Sequence, residues 1–227
     1  MKRLILKKLV IISQKNEEAR TIEFDDRLTV ITGDNPSGET KNRTGKSLVM
    51  KSIYYSLGAK LKKYTTNWDS LQISTIVTFL YDGIKYELYR DRNSFILRSD
   101  DEVKFFASIS ELKKFYVDFF EFYLKMPIKR DDENSVYAYP GAIFMPFYID
   151  QDKGWSGSWD SFSDVFTGKW KPEILLYHMG VRTREYYNLL DEKVELENEQ
   201  KENKRQLKTY EAVIKKHTEK YKDYLDL

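Results

Sequence analysis

Three adjacent residues, Gly45-Lys46-Ser47, carry the densest chemistry in this chain. A glycine lets backbone N–H groups converge on phosphate oxygens, a lysine neutralises the β and γ phosphates, and a Ser or Thr hydroxyl ligates Mg²⁺. Together they close the G-x-x-x-x-G-K-[ST] pattern of a phosphate-binding loop, which functions between a strand and a helix. The pattern is irregular here, because Thr40 stands five residues before Gly45 where a glycine is expected. Gly33-Asp34 supplies the upstream glycine. Asn35 to Lys41 then read as an insertion of about seven residues before Asn42-Arg43-Thr44-Gly45-Lys46-Ser47. An equivalent reading keeps Gly33-Asp34-Asn35 together and places the insertion after it. Either way the nucleotide-binding set is Gly33, Asn42, Arg43, Thr44, Gly45, Lys46, Ser47 and Leu48. Lys46 would meet the triphosphate and Ser47 the Mg²⁺. The competing reading is an accidental Gly-Lys-Ser at a helix start, and the flanking elements argue against it.

Leu28 to Thr32 is a short β-branched run ending at Gly33, the pattern of a buried strand that feeds a glycine loop. Lys46 to Leu57 has helical period, with Leu48, Val49, Ile53 and Leu57 mostly on one face and Gly58 as a C-cap. Upstream, Leu4 to Ile12 and Arg20 to Phe24 read as strands joined by the polar turn Gln14 to Glu18. Downstream, Ile73 to Ala107 reads as an antiparallel meander. Its turns fall at Asp82-Gly83, near Asp91 to Asn93 and near Asp100-Asp101, and the first is a strong hairpin signal. Ser108 to Leu124 returns to helical period, with Ser108 or Ser110 as N-cap and Leu112, Phe115, Tyr116, Phe119 and Tyr123 in the core. Met126 to Pro172 hold four of the five prolines and the run Gly154-Trp155-Ser156-Gly157-Ser158-Trp159, and read as irregular. So long a loop in a compact protein is functional or disordered, and the aromatic content favours an ordered, functional one. Trp155 and Trp159 are expected to pack the loop rather than stack on bases.

Val181 to Leu227 contain neither glycine nor proline. One heptad frame places Tyr186, Lys193, Gln200, Leu207, Ile214 and Tyr221 at a, and Leu189, Leu196, Asn203, Tyr210, His217 and Tyr224 at d. This is a coiled-coil seam with a polar middle, with His217 as a polar seam residue. A solvated single helix is the alternative. The domain expectation is therefore a globular part over residues 1–180 and the start of a coiled-coil arm over 181–227.

Charge is nearly balanced, 38 Lys and Arg against 36 Asp and Glu, so any nucleic-acid footprint must be local. The chain has no cysteine, which excludes disulfides and thiolate metal sites, and His178 and His217 are too few for a histidine-rich one. Lys7 and Lys8 interrupt the apolar start before a signal peptide develops, and no apolar run approaches the ~20 residues that span a bilayer. The reading is cytoplasmic, without a membrane.

The order of these elements resembles the N-terminal half of the head of SMC-type ABC ATPases, the chromosome-organising and break-repair class. Leu6-Lys7-Lys8-Leu9-Val10-Ile11-Ile12 looks like that family's opening strand, and Gly33, Asn42, Gly45, Lys46 and Ser47 match its phosphate loop apart from the insertion. Phe144-Met145-Pro146-Phe147-Tyr148-Ile149-Asp150-Gln151 is similar to the apolar run that ends in the family's Q-loop. The resemblance implies an α/β P-loop NTPase of ABC type, whose N-terminal lobe holds an antiparallel β meander, followed by a long coiled-coil helix. It implies ATP and Mg²⁺ as cofactors. Lys46 and Gln151 would be catalytic, Gln151 positioning water and Mg²⁺, with Ser47 and Gln151 on the metal. It further implies a homodimer formed through ATP, and a C-terminal half-head of the same protein that carries the signature motif and the Asp-Glu pair. Neither motif occurs in this sequence, so the chain reads as part of a longer protein that alone should not turn ATP over. The inserted loop and Asp150-Gln151-Asp152-Lys153-Gly154-Trp155 look like bacterial SMC-like proteins of anti-phage defence, such as the SMC-like subunit of Lamassu-type systems, with accessory or effector subunits.

The resemblance also implies DNA as a partner, held by phosphate-directed contacts for which Lys60, Lys62, Lys63, Lys104, Lys113 and Lys114 are candidates, against the alternative of solvated lysines. Two other readings compete for the whole chain. One is a non-catalytic coiled-coil interaction module with a degenerate phosphate loop. The other is a self-contained small P-loop kinase or GTPase, which needs a Walker B aspartate on a parallel strand within the chain.

Overall fold

A computed structural model describes residues 2–32, 45–61, 71–128, 131–149, 161–164 and 170–225. The chain divides into two compact units, Met1–Leu175 and Leu176–Leu227. The first is built on a six-stranded antiparallel sheet of order β2-β1-β3-β4-β5-β6. Its strands are β1 (Leu4–Ser13), β2 (Glu18–Glu23), β3 (Ile73–Tyr81), β4 (Ile84–Asp91), β5 (Ser94–Arg98) and β6 (Val103–Phe106). The meander thus forms as its alternation predicts, and β1 joins it by pairing with β3.

Register turns the alternation into a core. Leu9, Val77, Leu88 and Leu97 are directly opposite one another across four strands, and none is more than 4% exposed. Burying such a side chain contributes about 1.5–3 kcal/mol relative to leaving it in water. Both residues of the Asp82-Gly83 turn have positive φ, 52° and 82°. That backbone matches the twist of the flanking strands. Two helices pack on the sheet's core face, α1 (Lys46–Ser56) and α2 (Ile109–Phe119). Ser108 caps α2 by accepting from the Glu111 N–H at 3.3 Å, and Glu111 reaches back to the Ala107 N–H at 2.9 Å. The choice between Ser108 and Ser110 therefore falls on Ser108.

Four expectations need correction. Leu28 to Thr32 form no strand. Among the described residues no strand pairs with this run, and Leu28 and Val30 are 75% and 72% exposed. Local bonds shape its start: the Asp25 carboxylate accepts from the N–H groups of Arg27 and Leu28, and the Asp25 N–H donates to Thr29 Oγ1. Second, α2 ends at Phe119, not Leu124. Glu121 takes φ 54°, the Phe122 N–H bonds the Val117 carbonyl at 2.9 Å and the Glu121 N–H bonds that of Asp118. This is a Schellman stop with glutamate where glycine is usual, so no residue type announces it. Third, the stretch from Met126 is not irregular throughout. It holds the hairpin β7 (Lys125–Ile128) and β8 (Asp131–Tyr137), then the short helix α3 (Pro140–Phe144) and a 3₁₀ turn, Met145–Phe147. Fourth, the apolar face of α1 is buried only in its second half. Ile53 and Leu57 are 3% and 2% exposed, whereas Leu48 is 43% exposed because no described element covers the first turn.

Helix α4 (Trp170–His178) follows, and α5 (Arg184–Leu225) runs for 42 residues, a length of about 60 Å. The seam residues Leu189, Leu196, Leu207, Tyr210 and Ile214 are 58–65% exposed along it. His217 stacks near-parallel on Tyr221 one turn away, centroids 6.3 Å apart. Among the described residues no helix is long and apolar enough to cross a membrane.

Candidate functional site: the N-terminus of α1

Gly45 is the N-cap of α1, with φ 76° and ψ 2° in the left-handed region. Nothing lies within 4 Å of where its Cβ would stand, so the glycine is required by backbone conformation and not by crowding. As a glycine, the N-cap offers no side chain of its own to this end, and the first turn holds no acidic residue. The first-turn N–H groups and the positive end of the helix dipole therefore lie at Lys46, half-buried, and Ser47, exposed. A glycine-capped helix start carrying a lysine and a hydroxyl fits a polyphosphate with its Mg²⁺. Leu48, the last of the expected nucleotide-binding residues, is exposed on the same turn.

The rest of α1 is held rigidly, by residues that the sequence does not single out. Arg90, on β4 and 7% exposed, caps the far end of the helix. Its Nη1 donates to the carbonyls of Tyr55 and Ala59, its Nε donates to the Arg92 carbonyl at 2.8 Å, and its guanidinium lies 3.6 Å from the Tyr55 ring centroid. A cation suits the negative end of a helix dipole. Tyr116 Oη donates to the Leu57 carbonyl at 3.2 Å. Gly58, at φ 93°, touches α2 so closely that a Cβ there would lie 2.9 Å from Leu112 Cδ2. Ser52 and Ser56, both fully buried, donate to the carbonyls of Leu48 and Ser52.

Tyr54 ties α1 to the segment that precedes the predicted Q-loop. Its hydroxyl donates to the Phe147 carbonyl at 3.0 Å, and its ring meets Tyr148, Phe162 and Phe144 at centroid distances of 4.8, 5.8 and 5.9 Å. Burial pushes its phenol up to about 12. Asp164 fastens the neighbouring chain. It accepts from the Lys60 N–H at 3.1 Å. Burial pushes its carboxyl up to about 6, against the pull of backbone N–H groups at Lys60, Asp164 and Gly141 and of the Arg90 charge.

The structure thus brings Gly45, Lys46, Ser47 and Leu48 together at one helix start. Gly33, Asn42, Arg43, Thr44 and Gln151 lie outside the described residues, as do Lys62, Lys63, Trp155 and Trp159. Of the candidate DNA lysines, Lys60 and Lys114 are exposed. Lys104 pairs with Glu102 at 3.1 Å. Lys113 sits half-buried 4.3 Å from the Tyr139 ring centroid, where desolvation and then the Lys114 charge lower its pKa. Among the described residues no three His, Cys, Asp or Glu side chains group around a possible metal position.

Comparison with known proteins places the chain in a family. A family model described as an AAA domain matches residues 3–226. The chain is similar to the Lamassu protein LmuB of Bacillus cereus (strain VD014), 29% identical over 202 residues that cover 87% of this chain and 34% of that protein. It is also similar to the Lamassu protein LmuB of a Bacillus sp. (strain NIO-1130), 32% identical over 148 residues covering 65% of this chain and 24% of that protein. The chain therefore spans about a third of the length of these relatives, or less.

Proposed function

Since the chain belongs to the AAA domain family of P-loop ATPases, we propose that it is the ATP-binding N-terminal half of an SMC-like ATPase head acting in a Lamassu-type anti-phage defence system. The observation that carries this is the left-handed glycine start of α1 at Gly45-Lys46-Ser47. Backbone N–H groups of the first turn and Lys46 hold the β and γ phosphates, and Ser47 binds the Mg²⁺, with Gln151 completing the metal site and orienting water. Gly33, Asn42, Arg43 and Thr44 complete the proposed nucleotide-binding set. Mg²⁺, when bound, neutralises charge developing on the phosphates. Hydrolysis belongs to the complete head, in which a C-terminal half of the same protein supplies the remaining groups and two heads meet across ATP. The exposed Leu28, Val30 and Leu48 support such a second half, because a β-branched run beside a phosphate loop is ordinarily buried. Residues 181–227 begin a coiled-coil arm, supported by the exposed a and d positions of α5. DNA is the proposed substrate of the assembled head, inside the cell and with accessory or effector subunits. The test is ATP binding by the full-length protein. Lys46→Ala should weaken it at least about tenfold, the loss of one charge-assisted phosphate contact. Unchanged affinity would remove the assignment.

A further inference from the structure

The far end of α1 borders a cavity of about 870 Å³. Small-molecule sites measure roughly 300–1,000 Å³. It lies about 14 Å along the helix from Lys46, counting nine residues to Tyr55, and so is not the triphosphate site. The C-terminal end of a helix ordinarily repels anions. Here Arg90 satisfies the carbonyls of Tyr55 and Ala59 and places a buried positive charge behind them. Lys60 and Arg92 line the same cavity, both exposed, and among the described residues neither side chain pairs with a carboxylate. Arg92 is held in place by the β4–β5 turn, where it takes φ 51°, and the Asn93 amide lies beside it. Among the described residues, three cations thus line this cavity with one carboxylate, Asp164, which is already engaged by the Lys60 N–H. Ile109 and the Tyr139 ring form the apolar part of the wall.

An excess of two positive charges beside a neutral amide donor matches a dianion and over-supplies a carboxylate. The apolar wall suits a flat ring carried next to it. We infer that this cavity is a second anion site, which takes the terminal phosphate monoester of a nucleotide, with Lys60, Arg92 and Asn93 on the phosphate and Tyr139 and Ile109 against the base or sugar. The monoester could come from a soluble mononucleotide or from the 5′ end of a nucleic-acid strand.

The test uses the full-length protein carrying Lys46→Ala, so that the triphosphate site does not contribute, and a fluorescent dinucleotide with or without a 5′-phosphate. Saturable binding is expected for the phosphorylated probe, and removing the phosphate should weaken it about tenfold or more. Lys60→Ser with Arg92→Ser should have the same effect. Both side chains are exposed, so the fold is retained, and a thermal melt checks this. Ile109→Trp, which fills the cavity, provides an independent variant and should also abolish binding. Competition by AMP identifies a soluble nucleotide as the source of the phosphate. Competition only by a longer 5′-phosphorylated oligonucleotide identifies a strand end. Either supports the site. Equal binding of the two probes, or unchanged binding by the Lys60→Ser, Arg92→Ser variant, overturns it.

Discussion

Two glycines at positive φ frame α1, and the same substitution should have unequal consequences at its two ends. At Gly58 an alanine meets two penalties. The left-handed conformation costs an L residue about 1–2 kcal/mol. The new Cβ would also stand 2.9 Å from Leu112 Cδ2, 3.2 Å from Ile109 Cδ1 and 3.3 Å from Pro140 Cγ. Leu112 is fully buried and cannot retreat. Overpacking of that kind adds about 1–3 kcal/mol, for a total near 2–5 kcal/mol. At Gly45 the backbone penalty is the same, but nothing lies within 4 Å, so the total stays near 1–2 kcal/mol. With about 2–4 °C of melting temperature per kcal/mol in a domain of this size, Gly58→Ala should lower the melting point of the head by roughly 4–20 °C. Gly45→Ala should lower it by only a few degrees. The functional ranking reverses. Gly45→Ala tilts the first-turn N–H groups away from the phosphates and should weaken ATP binding by about an order of magnitude, while Gly58→Ala, wherever it remains folded, should leave it near normal. Differential scanning calorimetry and ATP titration on the same three proteins read both rankings. Equal melting points for the two variants, or stronger loss of ATP affinity in Gly58→Ala, would refute the reasoning.

Tyr54→Phe removes one hydrogen bond to the Phe147 carbonyl and should cost about 1 kcal/mol, whereas Tyr54→Ala also removes three ring contacts and should cost about 3–5 kcal/mol in denaturant titration. Asp164 titrates near 6 in the folded chain against 3.8 as its ordinary value. The folded state therefore holds the proton more tightly, and stability falls as pH rises from about 4 to about 6, by on the order of 2–3 kcal/mol, then levels off. Asp164→Asn should flatten that slope in pH-dependent melting. Leu28→Asp with Val30→Asp, at positions 75% and 72% exposed, should change the stability of the isolated 227-residue chain by no more than about 0.5 kcal/mol. In the full-length protein the same pair should lower the melting point of the head, and an unchanged value there would count against a second half that covers this run.

Residue order alone determined what rests on short-range geometry. The Asp82-Gly83 turn, a serine cap at the start of α2 and a glycine start of α1 ahead of Lys46 each depend on a handful of adjacent φ/ψ choices, although only the structure chose Ser108 over Ser110. The meander followed as well, because its turn residues set the breaks between successive antiparallel strands. Glu121 in the left-handed region was not legible, since its conformation is imposed by Phe122 packing inward and not by the glutamate. The run Leu28 to Thr32 was misread for the complementary reason: a strand exists only when a neighbour completes its ladder, and no described residue does so. Arg90, Tyr54 and Asp164 escaped sequence reasoning altogether. Arg90 caps a helix whose end lies 35 residues away, Tyr54 bonds a carbonyl 93 residues on, and Asp164 accepts from an N–H 104 residues back. The phosphate-binding start of α1 was therefore written locally, in Gly45-Lys46-Ser47, while what holds that helix in place is long-range, and only tertiary packing decided it.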